Sequence, residues 1–108
     1  MKPNLFFILL SVSVAPRYGT AIQDDVRSLS DNTVRLWPAT LYGSLEELVE
    51  QKWLEELDED DRPEGISGRE RYYRITRAGR VALEREASRL ESLARVARTR
   101  LAQRGAPA

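Results

Sequence analysis

Cysteine and histidine are both absent from this 108-residue chain. Without thiols there is neither a disulfide framework nor a thiolate metal site. Without imidazole the chain lacks the commonest general base and the commonest metal ligand. Net charge is missing as well, since 17 basic side chains balance 17 acidic ones. No apolar run approaches the ~20 residues that a helix needs to cross a bilayer. The acidic residues offer no spaced pair suited to hydrolysis and no calcium-loop spacing. What remains is the composition of one ordinary globular domain, 42% hydrophobic and 31% charged, with no catalytic constellation and no cofactor or metal to expect.

The charge that cancels overall is segregated along the chain. Residues 1–64 carry six basic and thirteen acidic side chains, whereas residues 65–108 carry eleven and four, so the two parts stand near −7 and +7. Such a split builds either a basic face on a neutral protein or a self-complementary pair of chains. Of the 17 cations, 15 are arginine, the residue suited to bidentate phosphate or carboxylate contacts; a GC-rich coding bias gives the same excess.

Leu5 to Val14 is apolar, with Lys2 before it and small residues at its end. This fits a secretory signal peptide removed near residue 15. It also fits a buried first helix in which Leu5, Ile8, Leu9 and Val12 share a face. The chain beyond Pro16 continues a pattern that needs such a helix as its lid, which favours the second reading. Pro16-Arg17-Tyr18-Gly19 reads as a turn. Thr20 to Gln23 has capping-box spacing, opening a helix with Ile22, Val26 and Leu29 inward. Ser30-Asp31-Asn32-Thr33 breaks it. Trp37, before a proline, should be extended, and Pro38 suits the first position of a third helix. That helix runs to about Gln51 with Leu41, Leu45 and Leu48 inward.

Leu54 to Leu57 is a short strand, Asp58 to Gly68 an acidic loop, and Glu70 to Ile75 an alternating strand with Tyr73 and Ile75 inward. Thr76 then caps a helix over 77–102. Leu83, Ala87, Leu90, Ala94, Ala97 and Leu101 recur there at intervals of 4, 3, 4, 3 and 4, a heptad seam. At ~1.5 Å per residue the helix extends about 39 Å, too long for so small a body to cover, so a partner is expected along that seam. The fold class is therefore mainly α with a small β-hairpin: a winged helix-turn-helix over residues 1–76, followed by a long C-terminal dimerisation helix and tail over 77–108.

In a helix-turn-helix the start of the second helix approaches base edges in the major groove. The side chains there not used by the leucine face are Ala39, Thr40, Tyr42, Gly43 and Ser44. They are small or hydroxylated, as close approach to double-stranded DNA demands. The bland alternative is that Tyr42 packs on its neighbours and Thr40 caps the helix. Arg69, Arg71 and Arg74 would bring the hairpin to the sugar–phosphate backbone, or would instead be solvated and paired with the acidic residues before them. Trp37 and Trp53 read as core or surface packing.

The order of these pieces resembles the PadR family of bacterial transcriptional regulators, in its short form with a single C-terminal helix. The resemblance spans Leu5 to about Leu101 and rests on Pro16-Arg17-Tyr18-Gly19, Thr40-Leu41-Tyr42 with Leu45 and Leu48, and Tyr72-Tyr73-Arg74-Ile75-Thr76 with Gly79. It implies a homodimer joined through the last helix that represses a neighbouring operon. It also implies that Thr40, Tyr42 and Ser44 lie at the DNA and that Arg69 and Arg71 serve the wing. Three departures stand out: Glu46 and Glu47 where basic residues are common, Lys52 where a helix-ending glycine is usual, and Glu70 within the wing. The expectation is a cytoplasmic, non-enzymatic repressor acting as a homodimer on a palindromic operator, with an effector, if any, unspecified. The alternatives are a winged-helix protein–protein interaction module with weak or no DNA binding, and a secreted helical protein.

Overall fold

Leu5, Ile8, Leu9 and Val12 do share a face. In the computed structural model, which describes residues 1–58 and 71–103, they are all buried along α1 (Pro3–Val12). With Ile22 and Val26 of α2 (Gly19–Leu29) and Leu41, Leu45 and Leu48 of α3 (Pro38–Glu50) they form one core. Burying each such side chain contributes roughly 1.5–3 kcal/mol, so this interleaved apolar set is the main source of stability. Among the described residues no helix is long and apolar enough to cross a membrane.

The segment expected as a turn at 16–19 is partly a strand. β1 (Arg17–Tyr18) pairs antiparallel with β3 (Tyr72–Ile75), which pairs in turn with β2 (Leu54–Glu56), giving a three-stranded sheet of order β1-β3-β2 rather than a hairpin alone. Arg17 faces Tyr73 and Tyr18 faces Tyr72, with the Tyr18 and Tyr72 ring centroids 5.5 Å apart. Because Tyr18 is still extended, α2 starts at Gly19 and Thr20 lies inside it. The capping box is absent, and the N-cap Tyr18 makes no side-chain cap. Gln23 instead donates Nε2–H to the Leu36 carbonyl, tying the following turn to α2.

Leu29, expected inward, is exposed. Its helix ends there, and the buried place passes to Ser30, whose hydroxyl accepts the Val34 N–H at 3.0 Å. Asp31 takes a left-handed φ of 54°, so that Asn32 N–H reaches the Arg27 carbonyl at 2.9 Å and Asp31 N–H the Ser28 carbonyl at 3.2 Å. That paired closure is a Schellman motif. α3 ends the same way, with Lys52 at φ 63°, Lys52 N–H on the Val49 carbonyl and Trp53 N–H on the Leu48 carbonyl, both at 3.0 Å. The missing glycine at 52 therefore does not change how the helix closes.

α4 (Arg77–Ala102) occupies the span that capping and periodicity predict, and the Thr76 hydroxyl accepts the Gly79 N–H at 3.0 Å. Gly79 is required by contact: a Cβ there would lie 2.2 Å from the Trp53 carbonyl oxygen. Leu83 packs on the core and Glu86 is buried, its carboxylate held by Arg89 at 2.6 and 2.7 Å. From Ala87 to Gln103 every residue is exposed, and the helix projects from the body in a molecule measuring 63 × 27 × 22 Å.

Candidate nucleic-acid interface

α3 is amphipathic in the way a reading helix must be. Leu41, Leu45 and Leu48 anchor it in the core, and between them Ala39, Thr40, Tyr42 and Gly43 stand exposed. Ser44 differs from the other four candidates. Two residues on from Tyr42 it turns onto the inward face and keeps only 9% of its surface, so its hydroxyl is not presented outward. Thr40 makes no cap, because the helix begins two residues before it at Pro38, with Trp37 as an uncapped N-cap.

Tyr42 has both a packing and a surface role. Its hydroxyl lies where a side chain on Gly19 would stand, 2.8 Å from a Cβ built there, yet 38% of the residue is exposed. A side chain at Gly19 would therefore have to push the tip of the Tyr42 ring aside. Gly43 has the opposite surroundings, with nothing within 4 Å of a Cβ. A glycine in mid-helix costs about 1 kcal/mol relative to alanine, and no contact with a described residue calls for it.

The two described hairpin arginines, Arg71 and Arg74, are already engaged. Glu55 lies opposite Arg74 in the β2–β3 register, and Arg74 donates Nε–H to its carboxylate at 2.7 Å. Arg71 stands 3.2 Å from Glu56. The Glu56 carboxylate, followed by Tyr73, raises the Arg71 pKa, while burial and then Glu56 hold the Tyr73 phenol above its ordinary range. Arg69 and most of the acidic stretch before it lie outside the described residues. Between α3 and the hairpin runs a cleft of about 640 Å³ walled by Gly43, Glu46, Glu47, Glu50, Glu56, Arg71 and Tyr73. Glu47 is partnered by Lys2 at 3.1 Å, but Glu46 and Glu50 make no ion pair with a described residue. A phosphate entering this cleft would meet carboxylates first.

Two features escaped the sequence reading. Trp37 is 65% exposed at the start of α3 rather than packed. The second is which acidic residues partner the wing arginines: pairing with the preceding acidic residues is an open alternative in the sequence, and hairpin register selects Glu56 for Arg71 and Glu55 for Arg74. Along α4, Leu83 is half-buried against the core, while Ala87, Leu90, Ala94, Ala97 and Leu101 are exposed together with Leu93 and Val96. Among the described residues no group of histidine, cysteine or acidic side chains is placed to hold a metal.

Two helices joined by a turn, a small sheet with a hairpin at its edge and a long projecting terminal helix define a winged helix-turn-helix protein. Residues 8–85 match the Transcriptional regulator PadR-like family, and the chain belongs to that family, whose members are transcription regulators rather than enzymes. In overall fold it is similar to a PadR family transcription regulator from Clostridium difficile R20291 (TM-score 0.76, 19% identity, covering 93% of this chain and 99% of that one). It is similar also to a transcriptional regulator from Clostridium thermocellum (TM-score 0.72, 22% identity, 89% and 87%). H. salinarum RosR shares the fold at a TM-score of 0.68 and 20% identity, over 97% of this chain and 94% of that one. In sequence, 86 residues are 34% identical to an uncharacterized 37.1 kDa protein in transposon TN4556 of Streptomyces fradiae; the match takes in 80% of this chain but only 22% of that protein's length.

Proposed function

We propose that the protein is a DNA-binding transcriptional repressor that acts as a cytoplasmic homodimer on a roughly palindromic operator. The observation that carries this reading is the outward face of α3: Ala39, Thr40, Tyr42 and Gly43 are exposed together at the start of a helix whose other side is locked in the core. Small and hydroxylated side chains in that position can approach base edges and thymine methyl groups. Ser44 drops out of the contact set, and Arg71 and Arg74 reach phosphate only by exchanging their carboxylate partners.

Dimerisation follows from α4. Leu90 (40% exposed), Leu93 (51%), Val96 (45%) and Leu101 (65%) lie uncovered on one helix, joined by Ala87, Ala94 and Ala97. Such an apolar stripe is stable in water only against another surface, and a second α4 offers a matching one. Two copies related by a two-fold axis would set half-sites about one helical turn, ~34 Å, apart.

Sedimentation equilibrium and fluorescence polarisation test both parts. The expected results are a dimer at micromolar concentration, dissociated by Leu90→Arg, and a duplex affinity falling with salt at a slope steeper than about −3 in log–log terms. Single chains only, or a flat salt dependence, would overturn the respective half of the reading. The cleft carboxylates Glu46, Glu50 and Glu56 favour the second reading, a winged-helix module that binds another protein. It predicts no retention of any duplex even at low salt.

A further inference from the structure

Trp37 is the most exposed aromatic side chain among the described residues, and no hydrogen bond or ring contact with them engages it. It holds the N-cap of α3, where serine, threonine, asparagine or aspartate would accept a free N–H, and it caps nothing. Its display is enforced from both sides. Leu36 is buried in the core, with its carbonyl taken by Gln23, and Pro38 opens the helix immediately after.

Arg35 and Arg27 stand beside it. With Trp37, Gln23, Asp24 and Leu36 they line a cleft of about 190 Å³. Asp24 and Asp31 share this surface, yet neither guanidinium forms an ion pair with them or with any other described residue. The contrast with the hairpin is direct, because Arg71 and Arg74 are held by Glu56 and Glu55.

We propose that this surface is a second point of contact with duplex DNA, continuous with the start of α3. Trp37 packs its indole against the sugar–base edge at the rim of the major groove, and Arg27 and Arg35 hold phosphates of the same strand. The inference rests on the DNA-binding reading above. It moves the phosphate anchor from Arg71 and Arg74 of the wing, which are held by carboxylates, to Arg27 and Arg35 at the turn, which pair with no described residue. A rigid aromatic with two torsions gives up little entropy on contact, and phosphate contacts on either side fix its register. The occupant is argued from position: Trp37 is exposed at the N-cap of the helix whose Ala39 and Thr40 are also exposed, so a duplex seated on that helix start comes within reach of the indole.

The test uses the full chain and a fluorescein-labelled duplex enriched by the wild-type protein from a randomised pool. In a Trp53→Phe background, Trp37 emission should shift and its quenching by acrylamide should fall when duplex is added. Trp37→Ser should raise the melting temperature, because serine supplies the missing cap, and weaken duplex binding about tenfold; Trp37→Phe should keep most of the affinity. Arg27→Ala with Arg35→Ala should flatten the salt slope by about 1 per lost contact, whereas Arg71→Ala with Arg74→Ala should change it less. Wild-type binding with Trp37 emission, affinity and slope all unmoved in these variants would overturn this inference alone. Failure of the wild-type protein to retain any duplex at low salt would overturn the DNA-binding reading, and this inference with it.

Discussion

The Thr76 hydroxyl donates to the Lys52 carbonyl oxygen across 2.6 Å and accepts the Gly79 N–H at 3.0 Å. One side chain therefore closes the end of α3 and opens α4. The Thr76 N–H adds a bond to the Trp53 carbonyl at 3.0 Å, and that same carbonyl is the atom a side chain on Gly79 would strike. The ends of the proposed reading helix and the proposed dimer helix meet at this joint, and α4 packs on α1 besides.

Thr76→Val keeps the shape of the side chain and removes both hydroxyl bonds. A lost cap and a lost hydrogen bond together should cost about 1–2 kcal/mol, a fall in melting temperature of roughly 5–10 °C for a domain of this size. Thr76→Ser should restore most of it. Thermal melts followed by circular dichroism decide the matter, and equal melting of wild type and valine variant would show that the joint is idle.

Lys52→Gly should stabilise the protein. Lysine at φ 63° bears the left-handed penalty of about 1 kcal/mol that glycine escapes, and the Lys52 side chain makes no hydrogen bond or ion pair with a described residue. The two Schellman hydrogen bonds are backbone only and would be kept. A rise in the urea midpoint at unchanged slope is the expected signature.

Gly43→Ala separates stability from binding. The added methyl meets nothing within 4 Å, so the free protein should gain about 1 kcal/mol of helix stability. If DNA approaches the helix closely at this point, the same methyl should lower duplex affinity. A variant that is both more stable and equally tight would remove Gly43 from the interface.

Stability should fall at both ends of the pH scale for identifiable reasons. Hydrogen bonds from Arg89 hold the Glu86 carboxyl below its ordinary 4.5. Its contribution is present above that value and is lost as pH falls through the depressed folded one. Burial raises the Tyr73 phenol above 10.0, so its contribution is present below pH 10 and is lost as pH rises through the raised folded value. Urea midpoints measured across pH should show Glu86→Gln with a shallower acid limb and Tyr73→Phe with a shallower alkaline one. An unchanged limb in either variant would assign that limb to other groups.

The candidate interface was legible only in part. The inward leucines of α3 left Ala39, Thr40, Tyr42 and Gly43 outside by subtraction, and they are exposed. Ser44 failed the same subtraction because the buried arc of α3 is wider than its leucines alone mark. From the sequence Trp37 reads as core or surface packing; the structure leaves it exposed beside Leu36, whose carbonyl Gln23 holds.

The amino-acid sequence by itself determined α1, α3 and α4, together with the capped start of the last helix. These are long segments whose apolar spacing repeats within one window, and a helix satisfies its own backbone. Tertiary structure alone decided the rest. β1 is two residues long and exists only because β3 lies beside it, more than fifty positions away in the chain. Register across the hairpin, not composition, chose Glu55 and Glu56 as partners for Arg74 and Arg71. Lys52 takes its left-handed backbone in a local Schellman closure, and tertiary structure adds only the bonds from Thr76 to its carbonyl and that of Trp53. Helical periodicity is a local property, whereas strand pairing and ion-pair choice are settled between segments that the linear order keeps apart.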